Sequence, residues 1–178
     1  MKLIDNKVIR LGIDAYSHIV VWPPTMIPKT EDDERRALST TRSSMRAARN
    51  ALDAGRVLVI FPEGTRSRQR QLSDGTPAVV NYLEGGGTYI MPVGISGTEK
   101  VLPVGSFFPT WGVVEVGFGE PLDHAETLRE LTDFSRENRK QRIIERYMSE
   151  IARLLQPQYR GIYTDKINTP SLLRASQK

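Results

Sequence analysis

The order of its periodic segments predicts an α/β fold for this chain, with a mixed, largely parallel sheet flanked by helices. Helix-like and strand-like segments follow one another in the order helix, strand, helix, strand, strand, helix. The run 57–61 is apolar at every position, which is typical of a central parallel strand covered by helices on both faces. A length of 178 residues suits one domain, which we place at residues 1–163, followed by a loose tail at 164–178.

The first clear helix is predicted over about residues 31–54. Thr30 is a plausible N-cap, although Asp33 stands where a complete capping box has Glu or Gln. Gly55 follows at the position where many helices end. One face of the helix is expected to pack inward through Leu38, Thr41, Met45, Ala48 and Leu52.

The elements on either side of this helix differ in clarity. Residues 1–30 are the least regular, with a short helical spacing at Ile4, Val8 and Leu11 and a strand-like run over 19–22. After residue 76 the pattern predicts a short helix over 77–83, strands over 89–95 and 113–118, and a helix over about 136–156. Pro92 should mark a bulge or an unpaired edge position, because proline cannot donate to a strand ladder.

Composition excludes several classes of protein. The chain has no cysteine, so disulfides and thiolate metal sites are excluded. No run approaches the roughly 20 apolar residues that span a bilayer, and the first residues lack the apolar core of a signal peptide. The net charge of +4 permits a phosphate or an anionic surface as partner, and the basic residues lack the interleaved aromatics that nucleic-acid binding would favour.

The loop after residue 61 has the composition of a phosphate site. Gly64 allows backbone N–H groups to approach a ligand closely, and Thr65 and Ser67 add hydroxyl donors. Arg66 offers two parallel donors to phosphate oxygens, and Arg68 adds positive charge. Glu63 would repel a phosphate, so we expect it to orient Arg66 or a substrate hydroxyl.

The string Phe61-Pro62-Glu63-Gly64-Thr65-Arg66-Ser67-Arg68 resembles the phosphate-site block of the 1-acyl-glycerol-3-phosphate acyltransferase family. The later strings 90–99, 116–122 and 158–163 are similar to further blocks of that family in order and spacing. The resemblance covers roughly residues 35–163, so residues 1–30 are a divergent or truncated start. It implies a glycerolipid acyltransferase-like fold, with Glu63, Gly64, Thr65, Arg66, Ser67 and Arg68 at the acceptor phosphate.

The same resemblance implies the reaction and its partners. Such enzymes move an acyl chain from acyl-CoA or acyl carrier protein to the hydroxyl of a lysophosphatidate-type acceptor, with no bound cofactor or metal. We therefore expect a role in phospholipid biosynthesis, with a lysophospholipid and an acyl donor as partners. The expected location is peripheral, at the cytoplasmic face of a membrane.

The general base of the family, a His in a His-x-x-x-x-Asp block, is not found in this sequence. Pro23 and Arg129 stand where the Asp would follow His18 and His124. Either the chain is the C-terminal part of a longer enzyme, which we favour, or it is a divergent member that kept the phosphate site. The alternative function is a non-catalytic domain that binds phosphate or a membrane surface.

Two further segments leave a membrane role open. The aromatic loop, residues 107–111, either folds back onto the core or enters a membrane interface, where Trp and Phe are favoured. The first helix carries a series of arginines that forms either a solvated face or a contact with anionic head groups. These arginines are Arg35, Arg36, Arg42, Arg46 and Arg49.

Overall fold

The computed structural model describes residues 19, 27–65, 67, 69–83, 87–103, 105–106 and 108–168. The chain divides into two compact units, Met1–Leu58 and Val59–Lys178. The first unit contains helix α1, Glu31–Asp53. The second contains these strands and α-helices: β1 Tyr89–Ile90, β2 Val93–Ser96, α2 Thr98–Val101, β3 Glu115–Phe118, β4 Leu122–Asp123, α3 His124–Glu130 and α4 Arg136–Arg153. Its 3₁₀ helices are Pro77–Tyr82, Pro157–Tyr159, Gly161–Tyr163 and Lys166–Asn168.

The ends of α1 confirm the boundaries that the sequence predicts. The Thr30 side chain accepts a hydrogen bond from the Asp33 N–H at 3.1 Å. At the other end, Gly55 is left-handed with φ of 69° and donates to the Leu52 carbonyl, while Arg56 donates to the Ala51 carbonyl. This pair of bonds is a Schellman motif, which satisfies carbonyls that the last turn would leave without partners.

The inward face of α1 agrees with the predicted one at Thr41, Met45, Ala48 and Leu52 but not at Leu38. Ser44 and Ala48 are buried, whereas Leu38 is 59% exposed, so its predicted inward position is wrong. The buried stripe is centred on small side chains, and Leu38 lies beyond its edge. Periodicity alone located the helix but not the exact line along which it packs.

The second unit contains a bulged antiparallel pair of chain segments. Tyr89 and Ile90 pair with Asp123 and Leu122, and β2 pairs with β3 from Val93↔Phe118 to Ser96↔Glu115. Between these ladders, two residues of one segment face three of the other, as in a β-bulge. Pro92 lies in this interruption and accepts a hydrogen bond from Gly119 N–H at 2.9 Å, which confirms the expected irregularity.

The largely parallel sheet predicted from the sequence is not what the described residues form. Both of their sheets are two-stranded and antiparallel, in a mixed α/β arrangement. A parallel pair is usually connected by a helix that crosses the face of the sheet, whereas the chain between β2 and β3 has, among its described residues, no helix other than the four-residue α2. It therefore returns beside β2 in the opposite direction.

The predicted central strand over 57–61 is also wrong. These residues pair with no strand among those described, and Val59 and Phe61 are 75% and 69% exposed. Ile60 packs against the core of the second unit. An apolar run shows that a segment suits burial, but it does not identify a pairing partner.

Helix α4 is the centre of the core of the second unit. Ile143, Ile144 and Tyr147 are buried on its inward face, as the helical spacing predicts. The core also contains Val80, Leu83, Leu131, Met148, Ala152 and Tyr163. The predicted helix over 77–83 is confirmed as the 3₁₀ helix Pro77–Tyr82, which packs against α4. The loop 62–76 leads directly into that helix.

Some expectations concern residues that the structure does not cover. The helical spacing at Ile4 to Leu11 and the strand over 19–22 lie outside the described residues, apart from Ile19. Among the helices that are described, none has both the length and the apolar character required to cross a bilayer.

Candidate functional site

The loop 62–76 is closed at its base by backbone hydrogen bonds. Thr76 N–H donates to the Pro62 carbonyl at 2.8 Å, so the two ends of the loop lie side by side. Gly64 N–H donates to the Phe61 carbonyl at 3.0 Å, and Gly64 has φ of 68°. Only glycine adopts this left-handed conformation without steric cost, which explains its place in the turn. The loop therefore begins with a tight turn rather than an open strand extension.

Glu63 fixes the two halves of the loop to each other. Its Oε2 accepts hydrogen bonds from Ser73 N–H at 2.9 Å and from Ser73 Oγ–H at 2.6 Å. A carboxylate that accepts two bonds of this kind is a strong anchor. The sequence assigned Glu63 to orient Arg66 or a substrate hydroxyl, and Arg66 lies outside the described residues. The observed partner, Ser73, was missed because nothing in the local pattern indicates a contact so far along the chain.

Ser67 closes a smaller turn inside the loop. Its Oγ donates to the Gln71 carbonyl at 2.7 Å and accepts from Gln71 N–H at 3.1 Å. The hydroxyl proton of Ser67 is thus used by the loop itself, so in this conformation it is not the phosphate donor expected from the sequence. Arg70 has φ of 59°, a conformation that few residues other than glycine adopt.

Part of the described surface of the loop is exposed to solvent. Gly64 and Thr65 are exposed, so the Thr65 hydroxyl can reach a solvent-borne anion. Arg66 and Arg68, the two arginines expected at a phosphate, lie outside the described residues. The described part of the loop contributes a fixed glycine turn, an accessible hydroxyl and the exposed Arg70, and such a turn can present donors to an anion.

Tyr163, a residue of the core, supports the base of the loop. Tyr163 is buried and hydrogen-bonded to the backbone of Gly75, and burial raises the pKa of its phenol to about 12. Burial likewise raises the pKa of Tyr147 to about 12. Tyr147 Oη lies 2.7 Å from Nδ1 of His124. The loop is therefore attached to the packed part of the unit rather than to a peripheral segment.

His124 belongs to the core. It is 1% exposed and begins α3, where Asp123 caps the helix by accepting from Ala125 N–H and Glu126 N–H. His18, the other histidine, lies outside the described residues.

The aromatic loop is held at its neck and exposed at its tip. Thr110 donates to two carbonyls, from Oγ1 to Lys100 at 2.6 Å and from N–H to Val101 at 2.7 Å. Phe108 is 81% exposed and Trp111 is fully exposed, so of the two alternatives left open for this loop, folding back onto the core does not hold for these two residues.

A comparison with protein families places this loop within a known family. The model of the family described as Acyltransferase matches residues 3–96, more than half of the chain. The match contains the whole loop 62–76 and also most of residues 1–30, in which the sequence alone showed no recognisable resemblance. Neither a curated protein nor a solved structure matches the chain significantly. The chain belongs to the Acyltransferase family, and acyl transfer is the general chemistry that this membership indicates.

Proposed function

We propose that this chain is an acyltransferase domain for glycerol-phosphate lipids, in which the loop 62–76 holds the phosphate of the acceptor. The observation that carries the proposal is the glycine turn at Gly64, held by the contact between Glu63 and Ser73 inside the region matched by the family. The composition of the loop supports phosphate as the ligand, because arginine forks and backbone donors suit its oxygens.

In the proposed reaction, the free hydroxyl of a lysophosphatidate-type acceptor attacks the thioester carbon of acyl-CoA or acyl carrier protein. A carbon–oxygen bond forms, the carbon–sulfur bond breaks, and the hydroxyl proton passes to a general base and then to the departing thiolate. Holding the phosphate fixes the position of the attacking hydroxyl, which lowers the entropic part of the barrier. In this scheme Gly64, Thr65, Arg66 and Arg68 bind the phosphate, and Glu63 and Ser67 shape the loop.

The lack of the family's His-x-x-x-x-Asp block limits the rate of acyl transfer that we expect from this chain. No His-x-x-x-x-Asp block occurs in the sequence, and His124 is buried beside Tyr147. Loss of a general base typically lowers the rate by about 10²–10⁴-fold. We therefore expect this chain to bind its acceptor well and to transfer acyl groups slowly.

The test of this function compares two lipids that differ only in the phosphate. Lysophosphatidate, presented below its aggregation threshold, should bind the chain, and the matching monoacylglycerol should bind at least about tenfold more weakly, since a charge-assisted hydrogen bond contributes about 1.5–3 kcal/mol. Equal affinity for the two lipids would contradict a phosphate site in this chain.

A non-catalytic domain that binds phosphate or a membrane surface is the second candidate. The exposed Phe108 and Trp111 favour it, because their side chains suit the interface between water and lipid. In either case we place the protein peripherally at the cytoplasmic face of a membrane. The two candidates differ in acyl transfer, since only an enzyme releases free CoA from acyl-CoA when lysophosphatidate is added.

A further inference from the structure

A short segment after α4 forms hydrogen bonds with the loop 62–76, called the phosphate loop below. This segment lies outside the region matched by the family. Leu72 N–H donates to the Tyr159 carbonyl at 2.8 Å, and Gln71 Nε2 donates to the Gln158 carbonyl at 3.2 Å. Both contacts join parts of the chain that are far apart in sequence. Residues 158–161, called the clamp below, therefore fix the position of the second half of the loop.

Gly161 brings the clamp unusually close to the loop. It has φ of 53°, and a Cβ added there would lie 2.1 Å from the carbonyl oxygen of Leu72. No side chain fits at that distance, so any other residue would displace the loop or the clamp. The backbones of the two segments thus pack directly against each other.

The clamp is itself attached to a second part of the unit. The Tyr159 hydroxyl donates to Glu99 Oε1 at 2.9 Å, and Glu99 belongs to α2. Burial would raise the pKa of Glu99, but hydrogen bonds from its own backbone and Tyr159, with the charges of Lys100 and Arg70, hold it below its usual value. The carboxylate is thus charged at neutral pH, which strengthens the bond to Tyr159.

These contacts form a continuous path to the glycine turn. Glu99 holds Tyr159, Tyr159 holds Leu72, and the adjacent Ser73 binds the carboxylate of Glu63. Glu63 directly precedes Gly64. A displacement of the clamp would therefore alter the turn that the acceptor phosphate is proposed to meet.

We infer that residues 158–161 are a positioning clamp for the phosphate loop, and that Gly161 and Tyr159 set its affinity for a phosphate monoester without touching the ligand. The inference rests on the proposed function, because the ligand is the acceptor phosphate named there. It adds a determinant of acceptor binding that lies outside the matched residues 3–96.

The experiment titrates glycerol 3-phosphate into the full chain and compares two glycine variants. Gly161→Ala should weaken binding by about tenfold or more, because displacements near 1 Å have large effects on positioned sites. Gly87→Ala is the matched control: Gly87 also has positive φ, of 79°, but a Cβ there meets nothing within 4 Å. It should show the same backbone strain and bind like the wild type.

If Gly161→Ala does not fold, a milder variant tests whether the clamp sets the affinity of the loop for glycerol 3-phosphate. Tyr159→Phe removes only the bond to Glu99 and should weaken glycerol 3-phosphate binding severalfold, whereas Tyr89→Phe, at an exposed tyrosine, should not. In a double-mutant cycle, the effect of the clamp variant should largely disappear in an Arg66→Ala background, since both act on one site. Full additivity would indicate a role unrelated to the loop.

The outcomes separate the clamp from the function on which it rests. If the wild type binds and either folded Gly161→Ala or Tyr159→Phe binds with the same affinity, the clamp is contradicted and the proposed function stands. No binding of glycerol 3-phosphate or lysophosphatidate by the wild-type chain would overturn both.

Discussion

Ser73 illustrates how single side chains of this loop act on one another. Its Oγ and N–H both bind Glu63 and thereby hold the turn at Gly64. Ser73→Ala should weaken binding of glycerol 3-phosphate by about threefold to thirtyfold. This is less than the roughly 10–150-fold equivalent to a charged hydrogen bond of 1.5–3 kcal/mol, because the backbone bond to Glu63 remains. Calorimetric titration measures this change.

The control for this variant is Ser43→Ala. The Ser43 hydroxyl donates to the Thr40 carbonyl on the exposed side of α1, so its loss should leave phosphate affinity unchanged. If both serine variants bind like the wild type, Glu63 and Ser73 do not shape the site.

The buried phenol of Tyr147 makes the stability of the fold depend on pH. Burial raises its pKa to about 12, above the usual value of 10. The folded state favours the protonated phenol, so its contribution to the free energy of unfolding is intact below pH 10 and is lost as the pH rises towards 12. Denaturant unfolding at several pH values should show this decrease. Tyr147→Phe should make it smaller without abolishing it, because the pKa of Tyr163 is also raised to about 12.

Tyr89→Phe is the control for the pH dependence, because Tyr89 is exposed. This variant should keep the wild-type slope between pH 10 and 12. A Tyr147→Phe variant with the same slope as the wild type would show that this phenol does not determine alkaline stability.

The sequence identified the loop but not the contacts that shape it. The string from Phe61 to Arg68 was recognisable because its residue types and order are specific. Ser73, Gly161 and Glu99 were not assigned to the site, since hydrogen bonds between distant parts of a chain leave no local pattern. A glycine at position 161 is a weak signal until the carbonyl of Leu72 is seen beside it.

At the scale of elements, the helices were predictable because their end signals are local. Helix α1 begins after Thr30 and ends before Gly55 as expected, and the apolar spacing of α4 corresponds to its buried face. The strands were not, since pairing depends on connections between them. The run over 57–61 looked like a central strand, yet the pairing found in the described residues joins 89–96 to 115–123 in antiparallel sense.

The aromatic loop gives a prediction at the same scale. Trp111→Ser should lower the fraction of protein that sediments with vesicles of anionic phospholipid, with a partition coefficient about tenfold smaller, because a large apolar contact is lost. Its neck is held by Thr110, so the loop should keep its position in the variant.

The matched control replaces an exposed aromatic residue elsewhere. Tyr89→Ser removes a side chain of β1 that is also exposed, and it should leave sedimentation with the vesicles unchanged. Equal loss in both variants would indicate general stickiness, and no loss in Trp111→Ser would remove this loop from membrane contact.

At the scale of the whole molecule, membership of the Acyltransferase family makes acyl transfer the activity to test. The protein has no thiol of its own that would disturb an assay of released CoA. The chain has no cysteine, so a thiol-reactive dye reports only the CoA released from acyl-CoA. With lysophosphatidate present, the rate should lie about 10²–10⁴-fold below that of an enzyme with its general base in place. A rate comparable to such an enzyme would show that the residues of this chain supply a base.

The central claim is that the loop after Phe61 binds the phosphate of the acceptor, and calorimetric titration of Arg66→Ala with lysophosphatidate tests it most directly. Arg129→Ala, at an exposed arginine of α3, is the control. The account predicts that Arg66→Ala weakens binding by about 10–150-fold, the equivalent of roughly 1.5–3 kcal/mol, while Arg129→Ala does not. Equal affinity of Arg66→Ala and the wild type would contradict it.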